Sequence, residues 1–294
     1  MNILIIGAGR IGQAFKYMCE KQATSVALFD VDQSKNPDQR PLTETVPTAN
    51  VIFLCIHSFA VRGVLNEIAL MLQSDAVVIS LAKGIERATL KTTDEVIVEC
   101  LSPTQPWGII IGPMLAEEIL CGQGSSGVFV GNSPTNYEQL SSLISSHDLR
   151  LEYSTDTHGV ALAGVLKNIY ALSLGIADGL GWGANRKGWL VTRAIREMRE
   201  ILPLLGGEAI TADGPAGLGD LIATGTSPHS RNRGTGEKIV TSGEINPLSE
   251  GYISLMSLVA LLGDTRIKNF EILNALIDIV EHKKDAREIF ERLI

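Results

Sequence analysis

Gly7-Ala8-Gly9-Arg10-Ile11-Gly12 follows directly on the β-branched run Ile3–Ile6. A glycine-rich turn between a strand and a helix can hold a pyrophosphate. The first glycine permits the tight turn, the second lets backbone approach the phosphates, and the third lets helix and strand pack closely. The next β-branched run, VALFD, ends in Asp30, eighteen residues past Gly12, where a carboxylate can accept hydrogen bonds from both hydroxyls of an adenosine ribose. That carboxylate would repel a 2′-phosphate, and Val31 beside it carries no charge to offset the repulsion, so NAD is favoured over NADP. The bland alternative is a glycine turn with a solvated aspartate.

Three further segments carry polar groups in unusual settings. In SLAKGIE, Lys83 follows the run Val77–Leu81 at the end where open α/β sheets bind ligands, although a lysine there is ordinarily a solvated surface charge. In VLKNIYALSLG, Lys167 and Asn168 interrupt a helix that is otherwise almost wholly apolar from Val160 to Ile176. A charge there is costly to bury unless it is paired or engaged in chemistry; the alternative is a lysine snorkelling to water. Its candidate partner is Asp220, the only carboxylate in GPAGLGDLIATGT. The third segment, SPHSRNRG, sets Arg231 and Arg233 around Asn232 in a stretch of Gly, Ser, Thr and Pro.

The elements that position these groups fall into two halves. Ile3–Ile6, Val26–Asp30, Val51–Ile56, Val77–Leu81, Trp107–Ile111 and Val128–Val130 read as strands, and Ile11–Glu20 and Val61–Leu72 as amphipathic helices between them. This is the rhythm of parallel βαβ units. After about residue 156 the strands stop. Gly159–Leu180, Lys187–Leu205, His229–Thr241, Gly251–Leu262 and Glu271–Leu293 carry helical spacing of apolar residues. The expected fold is α/β, a Rossmann-like domain over residues 1–155 followed by an all-α domain over 156–294.

The 294 residues, 45% hydrophobic, can bury two cores, and the formal net charge of −8 supplies no basic field for nucleic acid or an anionic membrane. The apolar runs, such as Val51–Ile56, fall short of the ~20 residues of a membrane span, and the amino terminus lacks signal-peptide features, so a cytoplasmic protein is expected. Cys19, Cys55, Cys100 and Cys121 are scattered without a CxxC pair. They read as buried small hydrophobes, with no metal site or disulfide framework.

Taken in order, IGAGRIGQAF, LAKGIE, GPMLAEE, LAGVLKNIYAL, DGLGWGAN, LVTRAIREM, GLGDLIATGTSPHSRNR, SEGY and the terminal KKDARE resemble the NAD(P)-dependent glycerol-3-phosphate dehydrogenase family over nearly the whole chain. The resemblance implies a carboxy-terminal domain like that of 6-phosphogluconate dehydrogenase, reversible reduction of dihydroxyacetone phosphate to sn-glycerol 3-phosphate in glycerophospholipid metabolism, and a homodimer. Lys167 matches the family's general acid/base, Asp220 its acidic partner and Lys83 a second substrate-side lysine. Arg231 and Asn232, with Ser230, match the phosphate clamp, where a planar guanidinium meets two oxygens at once. Asn168 and Thr224 would add neutral hydrogen bonds, and Gly112 falls on the substrate side. On the cofactor side the resemblance adds Gly7, Gly9, Arg10, Ile11, Gly12, Asp30, Lys83, Ala116, Leu248 and Glu250, with Arg231 shared.

The chain also departs from the family. The segment between Asp30 and Val51 is short, which puts part of a cofactor lid in doubt. Met114 stands where the bacterial enzymes commonly carry a small hydroxyl residue, and His57 replaces a common proline; a histidine at a strand end reads as a structural residue more readily than as a catalyst. Two other readings stay open. One is a ketopantoate- or β-hydroxyacid-type dehydrogenase, which would need a carboxylate-binding group instead of the SRNR loop. The other is a non-catalytic NAD-binding sensor, which has no need of Lys83, Lys167 and Asp220 together.

Overall fold

The apolar run after Met1 forms strand β1 (Asn2–Ile6), which lies between β2 (Ser25–Phe29) and β3 (Val51–Leu54) in a seven-stranded sheet. The sheet continues through β4 (Val77–Ser80), β5 (Trp107–Ile111), β6 (Ser126–Gly131) and β7 (Arg150–Tyr153), giving the order β2-β1-β3-β4-β5-β6-β7. The computed structural model describes residues 1–144, 149–247, 249–263 and 267–294. Every residue of β3, β4 and β5 is buried, which is why these strands read as continuous apolar runs.

The pairing is parallel except between β5 and β6, which run antiparallel with Ile110 opposite Phe129. The βαβ rhythm predicts a parallel neighbour at that point. The connection holds only the five-residue helix Ala116–Leu120, and the chain turns back beside β5 instead of crossing the sheet. The short segment after β2 also lacks a long helix. It forms a 3₁₀ turn at Gln33–Lys35, a helix at Leu42–Thr45 and a second 3₁₀ turn at Val46–Thr48.

Contacts divide the chain into Met1–Lys83 with Lys91–Thr157, and Gly84–Leu90 with His158–Ile294. The excursion 84–90 therefore packs with the helical unit, where Ile85–Glu86 lies against the helix Glu250–Leu262. The centre of that unit is the helix Thr157–Gly179, buried from Gly159 to Ala177. It is long and apolar enough to cross a membrane, contrary to the expectation from the sequence runs, but its most apolar window is wholly buried inside the fold. The helix Arg231–Thr241 lies directly on it, because a Cβ at Gly236 would stand 2.1 Å from the Leu172 carbonyl.

The apolar spacing over Glu271–Leu293 predicts helix, but the segment is not one continuous helix. It is two, Glu271–Val280 and Ala286–Glu291, broken where Lys283 adopts φ +54° and Asp285 accepts the Glu288 N–H at 2.8 Å. Two cysteines also depart from expectation. Cys19 and Cys55 are buried, and burial pushes the Cys19 thiol up to about 12, but Cys100 is half-buried and Cys121 exposed because they sit at the ends of short surface helices.

Glu197, on the helix Ala184–Leu204, is the buried polar hub of the helical unit. It accepts hydrogen bonds from the Tyr170 hydroxyl at 2.9 Å and from the N–H groups of Ile272 at 2.7 Å and Leu273 at 3.2 Å. Burial raises its carboxyl above the usual glutamate range, outweighing those donors. The folded state thus holds this proton more tightly than the unfolded chain, so the associated stability is present at low pH and lost as pH rises through the raised value. Glu197→Gln keeps an acceptor without the charge. As pH rises above the usual glutamate value, thermal unfolding is expected to show a shallower loss of stability for this variant than for the parent protein. A slope as steep as the parent's would assign the pH dependence to other groups.

Candidate active site

The glycine turn has the geometry that a dinucleotide requires. Gly7 has φ +109°, a left-handed conformation that L side chains rarely adopt, and its N–H donates to the Phe29 carbonyl at 2.7 Å. A Cβ at Gly12 would stand 1.8 Å from the Gly7 carbonyl oxygen, so only glycine lets the helix Arg10–Cys19 start this close to β1. At Gly9 nothing lies within 4 Å of the Cβ position, and no side chain caps the helix. Its first N–H groups, with the positive end of the helix, are thus presented by bare backbone. A pyrophosphate fits this cradle. Ile11 is half-buried and packs against the core, whereas the Arg10 side chain is exposed and ion-pairs with Glu117, next to the buried Ala116.

Asp30 closes the far edge of the turn. Its Oδ2 accepts the Ala8 N–H at 2.8 Å and its Oδ1 the Asp32 N–H at 2.9 Å. Sequence reasoning missed the next neighbour: the Lys35 ammonium lies 3.3 Å from Oδ1 and 3.4 Å from Oδ2. Val31 is uncharged, as read from the sequence, but a cation five residues on folds back over the carboxylate. The sequence cue is Asp32 two residues before Ser34, a pair that closes the 3₁₀ turn Gln33–Lys35.

Beyond β4, Lys83 donates to the Gly112 carbonyl at 2.9 Å, so the structure brings these two residues together in the first unit. Met114 is buried in the core of that unit and packs there as an apolar side chain. His57 leads into the 3₁₀ turn Ser58–Ala60, and its ring stacks on Phe59 at 5.2 Å and 6°.

In the helical unit Lys167 is buried and held in a triangle. Its ammonium donates to Asp220 Oδ1 at 3.0 Å and to Thr224 Oγ1 at 2.8 Å, while the Thr224 hydroxyl donates to the same Asp220 oxygen at 3.1 Å. All three residues are at most 6% exposed. Lys167 is therefore no snorkelling lysine. The backbone that carries Asp220 is also unusual: Pro215–Gly219 forms a π-helical turn running into the helix Asp220–Thr226. The spacing of Asp220 and Thr224, four residues apart on one helix, puts both groups on one face.

Asn168, beside Lys167, accepts from the Asn232 amide at 2.8 Å. The Asn232 carbonyl in turn accepts from Ser249 Oγ at 2.9 Å and the Gly251 N–H at 3.0 Å, tying three segments together. Ser230 caps the helix Arg231–Thr241 by accepting the Arg233 N–H at 3.2 Å. Arg233 is also structural: its Nε donates to Asp178 at 2.6 Å, and Asp178 also binds Lys187 at 2.8 Å. Arg231 is the exposed member of the pair, at the first position of its helix. Glu250 opens the helix Glu250–Leu262 and is half-buried; Leu248 lies outside the described residues.

The chain is similar to known proteins over most of its length. Residues 37–135 match the amino-terminal model of NAD-dependent glycerol-3-phosphate dehydrogenase and residues 156–291 its carboxy-terminal model. The first match begins past the glycine turn and Asp30, whose reading rests on the geometry above. The glycerol-3-phosphate dehydrogenase [NAD(P)+] of Fusobacterium nucleatum is 30% identical over all of this chain and 97% of its own length. That of Sphingopyxis alaskensis, numbered 2, is 35% identical over 86% of this chain and 78% of its own. The crystal structure of the Coxiella burnetii glycerol-3-phosphate dehydrogenase shares the fold, with a TM-score of 0.88 at 24% identity over 99% of this chain and 98% of that one. The buried lysine, its carboxylate partner and the glycine turn thus stand in a chain that belongs to the NAD-dependent glycerol-3-phosphate dehydrogenase family of oxidoreductases.

Proposed function

We propose that the protein interconverts dihydroxyacetone phosphate and sn-glycerol 3-phosphate, with Lys167 as general acid/base and NAD preferred over NADP. The observation that carries this reading is the buried Lys167–Asp220–Thr224 triangle. A bound nicotinamide would supply or accept the hydride. In the reducing direction Lys167 gives a proton to the carbonyl oxygen, and in the oxidising direction it takes the proton of the alcohol. Asp220 and Thr224 fix the ammonium in place.

Arg231 is the phosphate ligand in this reading. Asn232 and Ser230 act mainly by holding its helix, since their side chains already bond to protein groups. Lys83 is assigned to the substrate by family resemblance, and its ammonium is held by the Gly112 carbonyl. The turn from Gly7 to Gly12, Asp30 and Ala116 would hold the cofactor, with Leu248 and Glu250 assigned by family resemblance. Dimeric assembly and a cytoplasmic location belong to the same reading.

The test is the initial rate of NADH oxidation with dihydroxyacetone phosphate, dihydroxyacetone and ketopantoate side by side. The phosphorylated ketone is expected to exceed the other two in kcat/KM by about 100-fold, the worth of one or two charge-assisted hydrogen bonds. NADH should exceed NADPH by about tenfold, or about 1.4 kcal/mol. A preference for ketopantoate would overturn the substrate assignment.

A further inference from the structure

We propose that Lys35 sets the cofactor discrimination of this chain, acting as a movable counter-ion that shifts from Asp30 to the 2′-phosphate of NADP. The inference rests on the reading of the glycine turn as a dinucleotide site. Asp30 is the ribose-side carboxylate, yet both of its oxygens are already bonded to backbone, to Ala8 N–H at 2.8 Å and to Asp32 N–H at 2.9 Å. The Lys35 ammonium completes the set at 3.3 and 3.4 Å. The Asp30 side chain is 8% exposed and that of Lys35 47%, so the lysine is a group between the carboxylate and solvent.

The local fold keeps the ammonium there. Asp32 accepts the Ser34 N–H at 3.1 Å and the Ser34 hydroxyl at 2.6 Å, closing the turn that ends in Lys35. Downstream, Asn36 donates to the Leu28 carbonyl at 2.5 Å. Gln39 exchanges two hydrogen bonds with the Asp30 backbone, at 2.8 and 2.7 Å. The short segment after β2 is thereby latched onto the strand end. Asp32 lies 3.8 Å from the same ammonium, and its hydrogen bonds to Ser34 hold its carboxyl below the usual range. Two carboxylates and one ammonium leave this corner with one net negative charge; without Lys35 it would carry two.

Each ligand meets this corner differently. A ribose 2′-hydroxyl can donate to Asp30 only by taking a position that Lys35 holds, and a freed ammonium gains nothing from the neutral hydroxyl. A 2′-phosphate is repelled by Asp30 and Asp32 but attracts the ammonium, whose flexible stem lets it bridge carboxylate and phosphate. Lys35 therefore weakens discrimination against NADP that Asp30 alone would impose.

The experiment measures dissociation constants of the full-length protein for NADH and NADPH by fluorescence, and for ADP-ribose and its 2′-phosphate by calorimetry. Lys35→Gln and Lys35→Ala are expected to raise the NADPH-to-NADH ratio of dissociation constants by about tenfold, the effect of one unit charge near the surface, and this difference should shrink as salt screens it. Lys35→Arg should keep the ratio within about twofold, since the charge is retained. Asp30→Ser should move the ratio the other way. Equal shifts for both dinucleotides in Lys35→Gln would mean that Lys35 only latches the segment, and the inference falls. It also falls if the parent protein binds no NADPH. Failure of the parent protein to bind either dinucleotide would instead overturn the cofactor reading beneath it.

Discussion

Lys167→Ala is expected to lower kcat by about 100-fold or more in either direction, because a positioned general acid typically contributes that much. Affinity for NADH should hardly change, since the glycine turn belongs to the other unit. The variant leaves Asp220 buried without its cation, at 3% exposure, and this costs stability by several kcal/mol. Activity must therefore be measured at a temperature where circular dichroism shows the variant folded. A small primary amine added to the assay should restore part of the rate, because it can occupy the vacated volume and supply the missing proton. Asp220→Asn should be a milder form of the same defect, about tenfold, as the amide keeps the shape and an acceptor but not the charge. A folded Lys167→Ala protein with parental kcat would return this lysine to a structural role.

Arg231→Ala should lower kcat/KM for dihydroxyacetone phosphate by about 10- to 100-fold, with a change of no more than about twofold for dihydroxyacetone. The figure is smaller than for a fully desolvated clamp because Arg231 is exposed, where water and salt screen its charge. Folding is not the confounding factor. A cation at the first position of a helix opposes the macrodipole, so its removal should leave the helix Arg231–Thr241 intact or firmer. Arg231→Lys should recover only part of the loss, because an ammonium cannot make the planar two-point contact. Arg233→Ala gives the contrast: it breaks the bond to Asp178 and should lower the melting temperature. Equal fractional losses for the phosphorylated and unphosphorylated ketone would remove Arg231 from the phosphate site.

Much of the architecture was legible because it is written in local pattern. The β-branched runs announce buried strands, and the change to a 3.6-residue period after about residue 156 announces the helical unit. The glycine turn was legible for a stereochemical reason: L side chains rarely adopt φ +109°, as Gly7 does, and a Cβ at Gly12 would stand 1.8 Å from a backbone oxygen. Lys167 stood out because a charge in an apolar helix is costly, and Asp220 because no other carboxylate lay in its segment. That they are partners, with Thr224 between them, is a contact across more than fifty residues, which residue types suggest but only packing decides.

What the sequence left open depends on direction and reach in space. The antiparallel return of β6 follows from a connection too poor in helix to cross the sheet, and no property of the β6 residues themselves encodes it. Asp30 looked like an unopposed carboxylate because charge was sought at the next residue, whereas a capped turn carries Lys35 back over it. The two arginines around Asn232 are chemically alike in sequence. The helix that begins at Arg231 separates them, turning Arg233 onto Asp178 and leaving Arg231 exposed, because residues two apart on a helix face different ways. The sequence by itself determined which chemistry-bearing groups this protein carries; the tertiary structure alone decided which of them are paired, buried or presented to solvent, since those properties arise from neighbours distant along the chain.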